Sequence, residues 1–177
     1  MTTTDAQTPH EADPATPEGR YHTSQLVAHW TIVFLLVFQF AFNGQMQAGY
    51  RIGMETGQLP QLGGIYTHGI IGASILLLML WRVTLRLRYH APPPPSDLPR
   101  ILQIISRATH FAFYGVLIAM PLAGLTALIT LEPWAGEAHE ILAVVLLALI
   151  ALHVAGALFH LFKRDGVVRR MVRQDPA

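Results

Sequence analysis

The stretch HEILAVVLLALIALHVAGALFH, residues 139–160, decides the fold. It is apolar over a length that can cross about 30 Å of hydrocarbon as one helix. Three histidines, His139, His153 and His160, project from one face of it. At about 3.6 residues per turn and about 1.5 Å per residue, the 14 residues from His139 to His153 make about four turns and roughly 21 Å, with about 40° of rotation. The two are therefore nearly in register and well apart in depth, with Glu140 the only polar residue between them. Ionisable residues are costly in a lipid-spanning helix and mark candidate functional sites.

The rest of the chain has the same character. Its 177 residues are 52% hydrophobic and 13% charged, with a mean hydropathy of +0.39, too apolar for a soluble domain of this size. Stretches 24–42, 66–85, 108–130 and 139–162 each have spanning length. The expected fold is all-α, an integral membrane four-helix bundle with both termini on one side. There is no cysteine, which excludes disulfides, iron–sulfur clusters, thiolate zinc sites and covalently attached c-type haem. The first span lacks a basic leader and a small-residue cleavage site, so it reads as a retained helix.

Basic residues orient the bundle, because short cytoplasmic loops carry excess Lys and Arg. Arg82, Arg86, Arg88, Arg100 and Arg107 follow the second span, and Lys163, Arg164, Arg169, Arg170 and Arg173 follow the fourth, so ten of the 12 basic residues share one side. The opposite loops carry Arg51 against Glu55, Glu132 and Glu137. Both termini are expected in the cytoplasm, and the arginines read as topology signals rather than a nucleic-acid site.

Residues 1–20, rich in Thr, Pro and Ala with four acids, read as a disordered extension to a membrane domain at 21–173. His10 and His22, in or beside it, are expected to be solvated and unliganded. The Ala-Pro-Pro-Pro-Pro run at 91–95 predicts a stiff connector, with His90 at the interface. The long loop 43–65 is expected to cap the outer face. Pro121, near Gly115 and Gly124, predicts a kink in the third span. Gly69, Gly72 and Ala73, and Ala155, Gly156 and Ala157, allow close helix packing or room for a large flat ring beside a histidine. Trp30, Trp81 and Trp134 fall near span ends, as in an aromatic belt.

Depth sorts the remaining histidines into pairs. His29 opens the first span at the inner side and meets the level of His153, while His68 opens the second span at the outer side and meets the level of His139. Each pair bridges two helices and would supply both axial ligands of a haem iron, with each ring's second nitrogen needing its own partner. Two non-covalent haems at different depths would carry electrons across the bilayer. Interhelical hydrogen bonds or headgroup contacts are the simpler reading of any one histidine, but do not account for depths that match in pairs. His110, at the inner end of the third span, and His160 are left over. Their candidate roles are a substitute inner ligand, a quinone or propionate contact, or the interface. Arg82, 14 residues after His68, lies near the inner level, where a haem propionate and snorkelling to the headgroups are both open.

Leu-Val-Ala-His-Trp at 26–30, Thr-His-Gly-Ile-Ile-Gly at 67–72, the exit from Arg82 to Arg88, and His-Glu at 139–140 ahead of His153 together resemble the bacterial cytochrome b561 family. These are four-helix dihaem proteins of the inner membrane, related to the cytochrome b subunits of hydrogenases and formate dehydrogenases. The similarity runs over about residues 20–173. It implies that His29 and His153 hold an inner haem b and His68 and His139 an outer one, with Gly72 and Arg82 beside them. It further implies electron exchange between a periplasmic donor or acceptor, superoxide in some members, and ubiquinone. His160, Lys163 and Arg164 are the candidate quinone contacts. A haem-bearing anchor subunit for a soluble dehydrogenase is the second reading, and a histidine-lined metal or proton transporter the third. A transporter would need polar residues between the histidines, where only Glu140 stands. A monomer and a homodimer are both compatible with the sequence.

Overall fold

The computed structural model describes residues 21–42, 44–61, 63–89 and 98–172. Six helices follow in order: α1 Thr23–Ala41, α2 Gly44–Thr56, α3 Gly63–Tyr89, α4 Arg100–Thr130, α5 Pro133–Lys163 and α6 Arg169–Val172. Among the described residues there is no strand, and α1, α3, α4 and α5 are long and apolar enough to cross a membrane. They run alternately up and down, so that α1 begins and α5 ends at one end of the bundle, called here the terminal end. Large apolar side chains cover the outside, among them Phe34, Ile129 and Phe162 at 69%, 73% and 82% exposure. That surface requires lipid; a water-facing bundle would be polar there. The chain is an all-α integral membrane bundle.

Three spans are longer than their apolar runs, α3 among them at Gly63–Tyr89 against 66–85. α4 starts at Arg100 instead of near residue 108, and α5 at Pro133 instead of residue 139. The added turns carry Arg100, Gln103, Ser106 and Arg107 in α4 and Pro133, Trp134 and Glu137 in α5. Pro133 occupies the first turn of α5, where its missing N–H would be unpaired in any case. Only Leu131 and Glu132 separate α4 from α5, and Leu131 makes the reversal with a left-handed backbone (φ 53). Helices joined this tightly must be antiparallel neighbours, and α4 with α5 is the most extensive pairing. α4 also packs on α3, and α3 on α1 and α2. α5 has no extended backbone packing with α1 or α3.

The core is a layer at mid-depth. Ile32, Ile75, Met79, Val116, Leu117 and Leu146 are buried against one another, each long helix contributing. Leu146, fully buried, stands seven residues from His139 and seven from His153. Dry apolar packing therefore separates the two histidine levels. Hydroxyls in the spans bond back to their own helix, Ser74 to the Ile70 carbonyl, Thr109 to Ile105 and Thr126 to Leu122. Hydrocarbon leaves them no other partner. Helix α4 continues through Pro121 without a break.

Two expectations change. The loop 43–65 contains a full helix, α2, whose Gly49 and Gly53 are buried. A Cβ on Gly53 would come within 2.7 Å of Leu59 and 3.4 Å of Leu131, so α2 lies close over the α4–α5 turn. His22, expected to be free in solvent, is the N-cap of α1. Its Nδ1 accepts the Ser24 N–H, its own N–H donates to Gln25 Oε1 at 3.1 Å, and its ring stacks on Tyr89 at 4.1 Å. An imidazole in the cap position can satisfy the orphan first-turn N–H as Ser or Asp would. His10, His90, the extension 1–20 and the proline run 91–95 lie outside the described residues. Leu146→Ala is expected to destabilise the bundle by about 2–5 kcal/mol, read as an earlier unfolding transition in sodium dodecyl sulfate titrations of the lipid-reconstituted protein.

Candidate functional site

Four histidines that the sequence separates by up to 124 residues meet in two places. At the terminal end the His29 ring of α1 faces His153 of α5, with centroids 6.2 Å apart and planes crossed at 66°. At the far end His68 of α3 faces His139 of α5 at 5.9 Å and 70°. Both pairs use α5, and both reach across to a helix whose backbone α5 does not pack against. Side chains, not backbones, bridge these gaps. Two imidazoles trans on one metal ion, with metal–nitrogen bonds of about 2.0–2.1 Å and about 1.2 Å from nitrogen to ring centre, place their centroids about 6.4 Å apart. The two observed spacings are close to that value.

The surroundings of the pairs differ. His139 Nδ1 hydrogen-bonds the Met120 carbonyl of α4 at 2.8 Å, leaving Nε2 directed elsewhere. Gly124, one turn after Met120, makes this possible: a Cβ there would lie 2.7 Å from His139 Nδ1. The glycine beside Pro121 thus seats an imidazole on the α4 backbone. His68 Nδ1 is buried with no hydrogen-bond partner among the described residues. The His68 carbonyl accepts from Gln39 at 3.0 Å, and a Cβ on Gly72 would be 3.8 Å from that same Gln39 amide. A cavity of about 430 Å³ adjoins His68, walled by the end of α1 and the starts of α2 and α3, with Gln39, Gln45 and Thr67 as its polar lining. The buried Tyr50 hydroxyl of α2 also lacks a partner among the described residues and lies against Gly136. Burial pushes that hydroxyl above its ordinary value, and the Glu140 charge adds to the effect.

The terminal end is richer in charge. Arg82 Nη1 lies 3.0 Å from His29 Nδ1, at the level expected for it. Guanidinium only donates, so His29 accepts at Nδ1 and carries its proton on Nε2. His110 joins the same cluster, its ring 5.2 Å from His153 and its Nδ1 bonded to its own Ser106 carbonyl at 2.7 Å. That centroid distance is short for two trans ligands, whereas the His29–His153 distance fits. Gly156, one turn past His153, faces open space. His160 stands apart, its Nδ1 2.6 Å from Asp165 Oδ2. Burial alone would raise the Asp165 carboxyl, but the His160 hydrogen bond, the Val167 N–H and the Lys163 charge outweigh it and hold the group below its ordinary value. Lys163 and Arg164 are exposed beyond it, Arg164 forming the left-handed C-cap of α5. Trp81 and Trp134 are exposed near helix ends as an aromatic belt requires, while Trp30 also donates to the Met171 carbonyl at 2.8 Å. Sequence reasoning did not find Gln39, Met120 or Asp165 as neighbours of the histidines. Only Asp165, five residues past His160, had a local signal.

Residues 20–174 match the family model described as prokaryotic cytochrome b561. The chain belongs to that family. Cytochrome b562 of Cereibacter sphaeroides is 27% identical over 162 residues, covering 89% of this chain and 98% of the relative. A Yersinia pestis protein named probable superoxide oxidase CybB is 25% identical over 179 residues, covering 86% and 96%. This cytochrome b561 homologue is thus a bacterial multi-pass membrane protein that binds haem b and serves electron transfer. Gly124→Val is expected to push His139 off the Met120 carbonyl and lower stability by about 1–3 kcal/mol, measured by detergent unfolding beside Gly115→Val, where a Cβ meets open space.

Proposed function

We propose that this cytochrome carries two haems b, one held by His29 and His153 and the other by His68 and His139, and passes single electrons across the inner membrane between a periplasmic partner and ubiquinone. The observation that carries the reading is the pair of imidazole–imidazole spacings, 6.2 and 5.9 Å, at two depths on one helix. His139 already directs Nδ1 to a backbone carbonyl, the outer-shell arrangement that leaves Nε2 as a ligand. The orphaned His68 Nδ1 and the space past Gly156 fit a further group of atoms at each level. Bound haem would supply one-electron redox chemistry between these residues. His29 holding a haem through Nε2 would carry its ring proton on Nδ1, and the Arg82 guanidinium beside it would then suit a haem propionate. Gly72 gives the outer level its room.

The dry layer around Leu146 favours electrons over ions as the cargo, because a permeation path needs polar groups through mid-depth. The terminal end, with His160, Lys163 and Arg164, is assigned to the cytoplasm and to quinone, and the α2-capped end to the periplasm. The printed name of the Yersinia pestis relative makes superoxide a candidate donor there. Purified protein should show a b-type spectrum with about two haems per chain, and His68→Ala or His139→Ala should each remove about half of the haem while sparing the inner pair. Equal loss of all haem from either substitution would refute the paired assignment. The absence of cysteine makes topology easy to read. A thiol introduced at Glu55 should react with an impermeant maleimide on intact spheroplasts, and one at Arg169 only after lysis.

A further inference from the structure

Helix α5 does not simply stop beyond His160. Arg164 takes a left-handed backbone (φ 56) and Gly166 another (φ 81). A non-glycine residue in that region is strained and persists only where its surroundings impose it. The two bracket Asp165 and turn its carboxylate back along the helix. Oδ2 lies 2.6 Å from His160 Nδ1, and Oδ1 accepts the Val167 N–H at 3.2 Å. Both carboxylate oxygens are therefore engaged and the group cannot rotate. The pair is partly screened, with side-chain exposures of 18% for His160 and 8% for Asp165. The segment that follows is tied to another helix, because Trp30 of α1 donates to the Met171 carbonyl at 2.8 Å. A carboxylate held by a backbone N–H at one oxygen and set against an imidazole Nδ1 at the other defines which ring nitrogen carries the proton.

We propose, on the footing of the quinone assignment above, that Asp165 is the positioning residue for His160 in proton exchange with the quinone. The carboxylate keeps a proton on Nδ1 and leaves Nε2 to meet a quinone oxygen. Quinone takes up two electrons and two protons to give quinol, and the electrons are those of the proposed transmembrane path, arriving one at a time. One proton passes through His160: the Nε2–H bond of the imidazolium breaks as one O–H bond of the quinol forms, and water at the cytoplasmic surface returns the proton to Nε2; the second proton reaches the other quinone oxygen from water at the same surface. The Nδ1–H bond stays intact throughout, and the Asp165 charge offsets that of the imidazolium. Asp165 does not touch the quinone.

Asp165→Asn separates this role from a plain clamp on the helix end. Its amide oxygen can still accept the Val167 N–H, but its amide nitrogen donates toward His160 and forces the ring proton onto Nε2. The experiment is re-oxidation of the pre-reduced, full-length, haem-loaded protein by decylubiquinone in stopped flow, alongside ¹⁵N NMR of labelled histidine. Asp165→Asn should lower the limiting rate by about 10–100-fold with little change in half-saturating decylubiquinone and none in haem content, and should shift the His160 proton from Nδ1 to Nε2. Asp165→Glu should recover most of the rate. A wild-type rate in Asp165→Asn, or an unmoved His160 tautomer, overturns the inference alone. The same holds if Asn and Glu both lose haem and rate together, the mark of a structural clamp. Wild-type protein whose haems decylubiquinone never re-oxidises removes the quinone assignment itself, and the inference with it.

Discussion

Hydrocarbon offers no partner to a polar group, and the rest of this structure depends on how each such group inside the bundle is accommodated. Serine and threonine hydroxyls turn to their own helix, which needs nothing from the fold. Imidazole and guanidinium reach further and tie helices together. His139 crosses to the α4 backbone, Gln39 of α1 reaches the α3 backbone at His68, and Arg82 of α3 reaches His29 of α1. α5, with no extended backbone packing on α1 or α3, meets both through histidine rings. In a soluble bundle water would relieve these demands, and the same side chains would not organise the interior.

Small residues decide where the rings can go. Gly124 is required because the imidazole of His139 occupies the place of its absent Cβ, and two further glycines let α2 settle over the far end, Gly53 of α2 against Leu59 and Leu131, and Gly136 of α5 against Tyr50 of α2. Between the levels the opposite rule holds, and branched or long apolar chains fill the space completely around Leu146. A bundle polar at two depths and dry between them separates charge carriers physically: electrons tunnel through packed hydrocarbon, while protons and metal ions need a hydrated path. The membrane cytochrome chemistry of the family suits that partition.

Much of this was legible in the chain before any coordinates. The depth argument that joined His29 to His153 and His68 to His139 needs only the helical rise and an even number of spans, and those rings are adjacent in the fold. Arg82 likewise lies at the level of His29, as its 14-residue offset from His68 implies. Helix α2 was not legible as a helix, because its glycines read as loop residues until Leu59, Leu131 and Gln45 are seen to press on that stretch and its flank. His22 was misjudged because its value as a cap depends on Gln25 and Tyr89 closing around it. Asp165 was overlooked since its role arises from two left-handed residues that reverse the chain.

The sequence by itself determined the number of spans, their alternation, the absence of thiol chemistry and the shared levels of His29 with His153 and His68 with His139, because helix rise and the cost of burying polar groups act locally and at known distances. Only the tertiary structure decided which atoms those histidines meet: the Met120 carbonyl for His139, Arg82 for His29, His110 alongside His153, and Asp165 for His160. Depth is a one-dimensional quantity that a pattern of residues can encode. The rotation of each helix about its axis and the close approach of two backbones at a glycine depend on the simultaneous packing of all the helices, and no single segment specifies them.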